Sequence, residues 1–281
     1  MTLNCSVCRN TSFHDSFPGL IKCDHCGFIM ANLTISHKQI QSLYGIDYFN
    51  GDEYADYLSD KKLIQKNLSK RLDHIRKYIE NGNLIEIGSA YGFFLELAKK
   101  HFFIQGYEIS EEAAYYASNT LNIPTKTTNF SDDTTIKSQS IDLAVMWDVI
   151  EHLDKPEDVI SKLSTVLKPK GYLFLTTGDI GSKLARFQGP SWRMIHPPTH
   201  LKYFSRETIT RLLNAHGFEI VEIRYPGYWR SIKEILHGLF VLGNNKPDSL
   251  MYNLLQNFTP QRTGIYLNTY DIMFVIARLS Y

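Results

Sequence analysis

The sequence predicts an α/β fold: a seven-stranded sheet with helices on both faces, preceded by a small cysteine-rich unit. Three observations support this prediction. From residue 83 onward, apolar runs with strand character alternate with stretches of helical periodicity. The first of these runs ends in a glycine-containing loop that leads into a helix, as strands of open parallel sheets do. All four cysteines lie within the first 26 residues, which sets the N-terminal unit apart.

Two Cys-x-x-Cys pairs, fourteen residues apart, make up the N-terminal unit: Cys5, Cys8, Cys23 and Cys26. Each pair directs two thiolates to one point, and two pairs complete the tetrahedral sulfur shell that Zn²⁺ prefers. A disulfide framework is the alternative, but a reducing cytosol disfavours it and the sequence shows no secretion signal. Because four thiolates leave no open coordination position, we expect a structural zinc ribbon over residues 1–35, with His14 and His25 as reserve ligands.

Residues 36–82 are predicted to form a linker followed by a helix that continues to about Tyr78. Apolar residues recur there at helical spacing, so this helix should cover one face of the sheet. Basic side chains lie between them, and such a run is typical of a solvated face. These basic residues are Lys61, Lys62, Lys66, Lys70, Arg71, Arg76 and Lys77.

The remaining residues, 83–281, are predicted to carry the seven strands. The strands are expected at 84–87, 103–108, 124–128, 141–147, 172–177, 218–224 and 270–278, and the helices at 93–99, 111–120, 155–167 and 206–216. The segment 168–171, Lys-Pro-Lys-Gly, is a helix stop signal before the fifth strand. An aromatic-rich segment, 225–269, separates the last two strands. We interpret it as a helical lid over a substrate, and a packing or dimerisation surface is the alternative.

Composition and charge restrict the function. The 281 residues are 43% hydrophobic, which is enough for a full globular core. Thirty basic and 29 acidic side chains leave a formal charge of +1, so the surface as a whole does not attract a polyanion, and a nucleic-acid partner is disfavoured. The sequence shows neither a signal peptide nor a long apolar stretch, which predicts a soluble cytoplasmic protein without a membrane partner.

The most informative segment is 84–92, which reads Leu-Ile-Glu-Ile-Gly-Ser-Ala-Tyr-Gly. A strand that stops at glycine lets the backbone turn sharply and approach a ligand closely. A dinucleotide fingerprint would place glycines at 88, 90 and 93, but the last two positions carry Ala90 and Phe93, so pyrophosphate is a poor candidate. What remains is an acid-x-Gly-x-x-x-Gly loop that runs from Glu86 to Gly92.

Two further strand ends carry side chains suited to a nucleoside. The second strand ends at Glu108, 22 positions after Glu86, where a carboxylate could accept both hydroxyls of a ribose. The third strand leads into Asn129 and Phe130, where an aromatic ring can pack on adenine and a polar group can meet the edge of the base.

The loop 84–92 resembles motif I of the class I methyltransferases, which bind S-adenosylmethionine. Residues 141–153, which read IDLAVMWDVIEHL, are similar to the fourth-strand motif of the same class. The resemblance implies that Trp147 and Asp148 lie beside the methionine arm of the cofactor, and that His152 faces the site or braces its loop. The alternative places Trp147 in the core and His152 at a helix start.

Residues 192–205 carry a third motif, in which two prolines lie between His196 and His200. The segment resembles the Trp…Pro-Pro-x-His-x-x-x-Phe-Ser sequence of a bacterial branch of small-molecule methyltransferases, where it covers the reactive end of the cofactor. His200 is the first candidate for a base or a substrate-orienting group, because imidazole can take a proton near neutral pH. His196 and His152 are further candidates, and Ser205 suits a helix N-cap.

The resemblance implies a Rossmann-like methyltransferase sheet whose last strand is antiparallel. It also implies an enzyme that transfers a methyl group from S-adenosylmethionine to a small molecule, such as a sugar or another metabolite, by in-line displacement. Zinc ribbons occur in some members of this class, including sugar C-methyltransferases. The implied cofactor site consists of Glu86, Gly88, Ser89, Ala90, Tyr91, Gly92, Glu108, Asn129, Phe130, Trp147 and Asp148.

Two other functions are left open by the sequence. An RNA methyltransferase could use the zinc ribbon to hold its substrate, and binding that falls steeply with salt would favour this function. A non-catalytic scaffold could retain the cofactor fold without the activity, and a failure to bind S-adenosylmethionine would favour that function. A homodimer also remains open.

Overall fold

The computed structural model describes residues 3–33, 49, 56–237 and 264–281. The N-terminal unit contains β1 (Phe13–Asp15), β2 (Leu20–Cys23) and β3 (Ile29–Ala31). The elements that follow are α1 (Lys61–Ile75), β4 (Gly82–Ile87), α2 (Phe93–Ala98), β5 (Phe102–Tyr107), α3 (Glu111–Asn119), β6 (Thr125–Lys126), β7 (Ile141–Trp147), α4 (Pro156–Val166), β8 (Leu167–Gly178), α5 (Lys183–Gln188), β9 (Lys202–Tyr203), α6 (Arg206–Ala215), β10 (Phe218–Arg224), β11 (Tyr228–Ser231), α7 (Ile232–His237), β12 (Gly264–Leu267) and β13 (Ile272–Leu279). Single 3₁₀ turns lie at Phe130–Asp132, Ile150–His152 and Gly189–Ser191.

The main sheet contains seven strands in the order β10, β13, β8, β7, β4, β5, β6. The five strands β8, β7, β4, β5 and β6 are parallel to one another. Strand β13 pairs antiparallel with both β8 and β10. The predicted seven-stranded sheet with an antiparallel last strand is therefore confirmed. Strands β4, β7 and β8 lie in the middle and are mostly buried, as their continuous apolar runs indicate.

The helices follow their sequence signals closely. In α1, Leu68, Leu72 and Ile75 are buried at helical spacing and pack with the apolar residues of β4 and β13. Ser205 begins α6 as predicted, since its hydroxyl accepts the N–H of Thr208 and the hydroxyl of Thr208 accepts the N–H of Ser205. None of the helices within the described ranges is both long and apolar enough to cross a membrane.

One difference from the predicted elements lies at the start of β8. Helix α4 ends close to its predicted end, but β8 begins at Leu167 and not after the Lys-Pro-Lys-Gly segment. Lys168 explains the difference, because its Nζ lies 2.8 Å from both carboxylate oxygens of Asp142 and ties the segment to β7. Lys170 makes the turn within the strand, with a φ of +64°. The pairing register with β7 shifts at this point.

The N-terminal unit is joined to the rest of the protein and is not a separate appendage. Strands β1, β2, β3 and β9 form one four-stranded sheet, in which Ile29 of β3 lies opposite Tyr203 of β9. The ring centroids of Phe28 and Phe204 lie 5.0 Å apart, and the hydrophobic cluster around them continues into the main core. The N-terminal unit is thereby attached to the loop that carries His200.

Most of the predicted lid, residues 238–263, lies outside the described residues. Its described ends differ from the predicted helix, because β11 and β12 pair as an antiparallel hairpin and only α7 is helical. The side chain of Asn67 in α1 bonds the backbone of β11 as a neighbouring strand would. Its side chain donates to the carbonyl of Trp229 and accepts the N–H of Trp229, both at 2.8 Å. The hairpin therefore lies against α1.

Candidate functional site

A cavity of about 770 Å³ lies at the carboxyl ends of β4, β5 and β7. Open parallel sheets bind their ligands at this edge. The cavity is lined by every predicted cofactor-site residue except Tyr91 and Gly92, and by all three candidate histidines. Residues that lie far apart in the sequence are thus brought into one space.

Tyr91 and Gly92 do not line the cavity but support the loop through contacts with α3. The Tyr91 hydroxyl lies 3.2 Å from a carboxylate oxygen of Glu112, and its ring packs against Phe49 at 5.0 Å. Gly92 has a φ of +76°, and a Cβ there would lie 3.0 Å from the Cβ of Ala117. The two residues hold the start of α2 close to α3, which fixes the loop without contact with the cavity.

Gly88 lets the backbone turn directly after β4. Its φ is +70°, and a Cβ at this position would lie 2.5 Å from Cγ2 of Val149. The N–H groups of Gly88 and Ser89 both donate to the carbonyl of Tyr107, at 2.8 and 3.0 Å. No side chain fits here without moving Val149, so glycine is required for the loop to border the cavity.

Glu108 is a buried carboxylate held by two backbone groups. One oxygen accepts the N–H of Ala90 at 2.7 Å and the other accepts the N–H of Ser110 at 2.8 Å. Burial raises the pKa of Glu108, and the bonds from Ser110 and Ala90 oppose this shift. Each oxygen keeps further acceptor capacity at the cavity wall, which is what a pair of ribose hydroxyls needs.

Glu86 is the second buried carboxyl group, with an exposed fraction of only 2%. Its Oε2 has no hydrogen-bond partner among the described residues. Burial raises the pKa of Glu86 well above its usual value, the charge of Glu108 adds to this, and Arg71 opposes it. A carboxyl group in this position would be stabilised by a cation in the cavity, such as the ammonium group of an amino acid.

Glu86→Gln should stabilise the ligand-free protein, and more so at pH 8 than at pH 5. Because the folded-state pKa is raised, the unfolded chain loses this proton first, so stability falls as pH rises above about 4.3. We expect the melting temperature of Glu86→Gln to exceed that of wild type by about 3–5 °C at pH 8, since each kcal/mol shifts the midpoint of a domain of this size by about 2–4 °C. Thermal melts of wild type, Glu86→Gln and the exposed control Glu80→Gln test this. An equal effect at both pH values would contradict it.

The side of the cavity after β6 carries an aromatic ring and an amide. The Phe130 ring packs edge-on against Tyr107 at 5.2 Å and is almost fully buried, while part of its surface borders the cavity. The Asn129 side chain accepts the N–H of Ser131 and begins the 3₁₀ turn. Lys162 fixes this turn, since its Nζ donates to the Phe130 carbonyl at 2.6 Å.

The end of β7 presents an indole and a carboxylate to the cavity. The Trp147 ring stacks on Phe274 at 5.8 Å, and its buried Nε1 has no hydrogen-bond partner among the described residues. Asp148 has a φ of +55°, and its N–H donates to the carbonyl of Thr176 at 3.1 Å. Trp147 is thus both a core residue and a cavity residue, which combines the two interpretations of the sequence.

Arg71 is a cavity residue that the sequence interpretation missed. It was assigned to a solvated basic face, but its guanidinium lies 4.8 Å from the Trp147 ring and 3.6 Å from a carboxylate oxygen of Asp148. A signal was present, because position 71 follows Leu68 by three residues and precedes Ile75 by four, which places it on the buried stripe of α1. The solvated-face prediction holds for the exposed Lys62, Lys66, Lys70, Arg76 and Lys77.

The hairpin of β11 and β12 adds further cavity residues that no motif indicates. Tyr228, Trp229, Arg230 and Ser231 line the cavity from the side of α1. The Trp229 ring lies 3.1 Å from Nζ of Lys66, a cation–π contact that fixes the indole. The position of these residues depends on the pairing of β11 with β12, which are separated in sequence by residues 232–263. The local sequence gives no signal for this pairing.

The three candidate histidines, His152, His196 and His200, form a histidine cluster. Ring centroids lie 3.9 Å apart for His196 and His200 and 4.6 Å apart for His152 and His200. Burial lowers the pKa of His196 to about 4 and that of His200 well below its usual value. Nδ1 of His200 lies 2.8 Å from the Met194 carbonyl, and Nδ1 of His152 lies 2.9 Å from the Thr199 carbonyl. His152 therefore both faces the cavity and braces its loop.

The four cysteines form a second cluster, in the N-terminal unit. Their sulfur atoms all lie within 4.8 Å of one another, with 3.5 Å between Cys5 and Cys26 and between Cys8 and Cys23. A tetrahedral zinc site with bonds of about 2.3 Å separates its sulfurs by about 3.8 Å, so the cluster is compatible with Zn²⁺. The predicted reserve ligands His14 and His25 are not part of it.

Comparisons with known proteins agree with this fold. The family described as a methyltransferase domain matches residues 57–223, which is more than half of the chain. The comparison with curated proteins found no match.

Solved structures of similar fold have low sequence identity to this chain. An S-adenosylmethionine-dependent methyltransferase from Thermotoga maritima superposes with a TM-score of 0.52 at 20% identity, over 80% of this chain and 92% of its own. One from Archaeoglobus fulgidus superposes with a TM-score of 0.54 at 18% identity, over 79% of this chain and 98% of its own. At such identities the likeness establishes the fold alone. The chain therefore belongs to the methyltransferase domain family, and its fold is that of the S-adenosylmethionine-dependent methyltransferases.

Proposed function

We propose that the protein transfers a methyl group from S-adenosylmethionine to a small molecule. The observation that carries this proposal is that one cavity of about 770 Å³ is lined by Glu86 and Glu108 and also by the histidine cluster. Cavities of this size accommodate metabolite-sized ligands. Donor and acceptor can therefore be held together in a space bordered by the hairpin.

The residues of the cavity suit each part of S-adenosylmethionine, which carries a methyl group activated on a sulfonium sulfur. Glu86 would hold the ammonium group of the methionine arm, because its Oε2 lacks any other partner among the described residues. Glu108 would accept the ribose hydroxyls, while Asn129 and Phe130 would border adenine. Gly88 keeps the backbone close enough for this arrangement.

In-line transfer requires the nucleophile, the methyl carbon and the sulfur to be aligned while water is excluded. Such positioning can lower a barrier by about 7–11 kcal/mol. We assign the acceptor side to the histidine cluster, with His200 as the base or orienting group, because its ring lines the cavity and is fixed by the Met194 carbonyl. Trp229 and the rest of the hairpin would exclude water as part of the lid.

A small-molecule acceptor is favoured over RNA by the contacts of the basic residues on α1. Lys61 pairs with Glu96 at 2.8 Å, and Lys66 and Lys70 both lie over the Trp229 ring. Arg71 faces the cavity. Four of the seven basic side chains in and directly after this helix thus already have protein partners, which lowers the capacity of the helix to bind phosphate groups.

Methyl-labelled S-adenosylmethionine tests this proposal directly. The protein is incubated with a panel of hydroxyl-, amine- and acidic-carbon-containing metabolites, including nucleoside diphosphate sugars, and separately with total RNA. We expect label on at least one small molecule. Label found only on RNA, with a steep loss as salt rises, would overturn the small-molecule assignment.

His200→Ala tests the acceptor side of the proposal. We expect kcat to fall by about 10²–10⁴-fold, because a positioned base or orienting group contributes that much. The dissociation constant of S-adenosylmethionine, measured by calorimetry, should change by less than about threefold, since the lost interaction is on the acceptor side. An equal loss of turnover and of cofactor affinity would remove His200 from this role.

A further inference from the structure

We propose that Glu151, His152 and His200 bind a divalent transition-metal ion at the wall of the cavity, separate from the cysteine cluster. One ligand atom of each residue lies within 4.8 Å of the others, which is close enough for all three to reach one ion. All three residues line the cavity. A carboxylate and two imidazoles form a donor set that suits ions such as Zn²⁺, Co²⁺, Fe²⁺ and Mn²⁺.

The hydrogen bonds of the two imidazoles prepare them for metal binding. Nδ1 of His152 lies 2.9 Å from the Thr199 carbonyl, and Nδ1 of His200 lies 2.8 Å from the Met194 carbonyl. A carbonyl oxygen only accepts, so Nδ1 must carry the proton in each ring, and the lone pair of a neutral ring is then on Nε2. Metal-binding histidines show this same arrangement, in which the other ring nitrogen donates to a carbonyl or carboxylate.

The three ligands are also held by rigid parts of the fold. Glu151 and His152 belong to the 3₁₀ turn after β7, whereas His200 precedes β9. The backbone carbonyl of Glu151 accepts the N–H of Leu201 at 2.9 Å, which joins the two segments. Strand β9 is paired with β3 of the N-terminal unit, so the sheet of the ribbon supports the proposed site. Such support is what keeps metal ligands in place.

The proposed site differs from the cysteine cluster in its chemistry. Four thiolates close the coordination shell of a structural zinc ion, whereas three protein ligands beside a cavity leave a position open for water or for an oxygen of a bound molecule. An ion there would bind an acceptor hydroxyl and lower its pKa. His200 would then act as an orienting group through the ion and not itself as the base, so this inference deepens the proposed function and rests on it. The binding of the ion itself does not depend on methyl transfer.

Cobalt provides a probe that separates the two metal sites. The protein is first loaded with one equivalent of Zn²⁺ to fill the ribbon, and is then titrated with Co²⁺ while the visible spectrum and the heat of binding are recorded. We expect one Co²⁺ per chain with weak d–d bands and without the sulfur-to-cobalt charge-transfer band of a thiolate site. A spectrum dominated by that band, or no binding beyond the ribbon, would overturn the proposal.

Variants locate the ion. His200→Ala, His152→Ala and the volume-conserving Glu151→Gln should each weaken Co²⁺ binding by at least about tenfold, since each removes or neutralises one ligand. His216→Gln is the matched control, because His216 also lies with Nδ1 2.9 Å from a backbone carbonyl but is outside the cavity. Unchanged Co²⁺ affinity in the three ligand variants would contradict the site. If a variant unfolds, the wild-type spectrum still decides the question.

The metal site and the proposed function fail in different ways. Wild-type protein that binds S-adenosylmethionine and methylates an acceptor, but takes up no Co²⁺ beyond the ribbon, contradicts only the metal site. Protein that binds Co²⁺ through nitrogen and oxygen ligands but transfers no methyl group supports the metal site and contradicts the proposed function.

Discussion

Replacing Cys23 by serine is expected to lower the melting temperature by more than about 10 °C and to reduce methyl transfer with it. Structural zinc sites contribute about 10–16 kcal/mol of apparent binding free energy, and a domain of this size gains about 2–4 °C per kcal/mol. Cys23 is only 1% exposed and belongs to the hydrophobic cluster that continues into the main core. Loss of a metal ion held by the four cysteines should therefore affect more than the N-terminal unit.

The effect should reach the cavity through the strand pairing. Ile29 and Met30 of β3 lie opposite Tyr203 and Lys202 of β9, which follow His200 by three and two residues. Amide hydrogen exchange at 201–204 should become faster in Cys23→Ser, because this backbone loses its neighbouring strand.

His14→Gln is the matched control for the zinc prediction, since His14 is in the same unit but outside the cysteine cluster, and its side chain is 56% exposed. We expect this control to melt within about 2 °C of wild type, as exposed substitutions usually do. If Cys23→Ser melts at the same temperature as the control, the cysteines hold no structural metal. The same conclusion follows if a strong chelator leaves the melting temperature of wild type unchanged.

Glu108→Ala is expected to weaken S-adenosylmethionine binding by about 100-fold, equivalent to about 2.7 kcal/mol. A hydrogen bond to a charged group contributes about 1.5–3 kcal/mol, and Glu108 would make such bonds with the ribose. The variant also removes the acceptor for the Ala90 and Ser110 N–H groups, which loosens the loop. Titration calorimetry of wild type and variant gives the two dissociation constants.

Glu112→Ala controls for the loss of a carboxylate close to the same loop. Glu112 bonds the Tyr91 hydroxyl at 3.2 Å but does not line the cavity. We expect the affinity of this control to stay within about threefold of wild type, because it loses no contact with the ligand. If the two variants bind equally well, Glu108 does not hold the ribose.

Local periodicity was sufficient to predict the main sheet. The alternation of apolar runs and helical stretches predicted the strands that became β4, β7 and β13, because a strand that is buried on both faces of a sheet appears as a continuous apolar segment. The loop after β4 was recognised for a similar reason, since the positive φ of Gly88 and its contact with Val149 admit only glycine. Such steric requirements restrict the residue type at a single position, so the sequence alone indicates them.

The parts that the sequence did not indicate depend on long-range partners. Pairing of β3 with β9 joins residues 29–30 to 202–203, and neither segment has a sequence pattern that predicts the other as its partner. Arg71 became a cavity residue because Trp147 and Asp148 lie opposite it, which only the packing of α1 on the sheet determines. The histidine cluster required both the 3₁₀ turn after β7 and the loop before β9, whose joint position comes from the fold.

A crystal structure with S-adenosylhomocysteine tests most directly that this cavity is the methyl-donor site. We expect the ribose hydroxyls at Glu108, the ammonium group at Glu86, and adenine next to Phe130. The sulfur should face the part of the cavity that the histidine cluster lines. Binding of the ligand elsewhere, or in the cavity with its ribose away from Glu108 and its amino group away from Glu86, would contradict the assignment of the donor site.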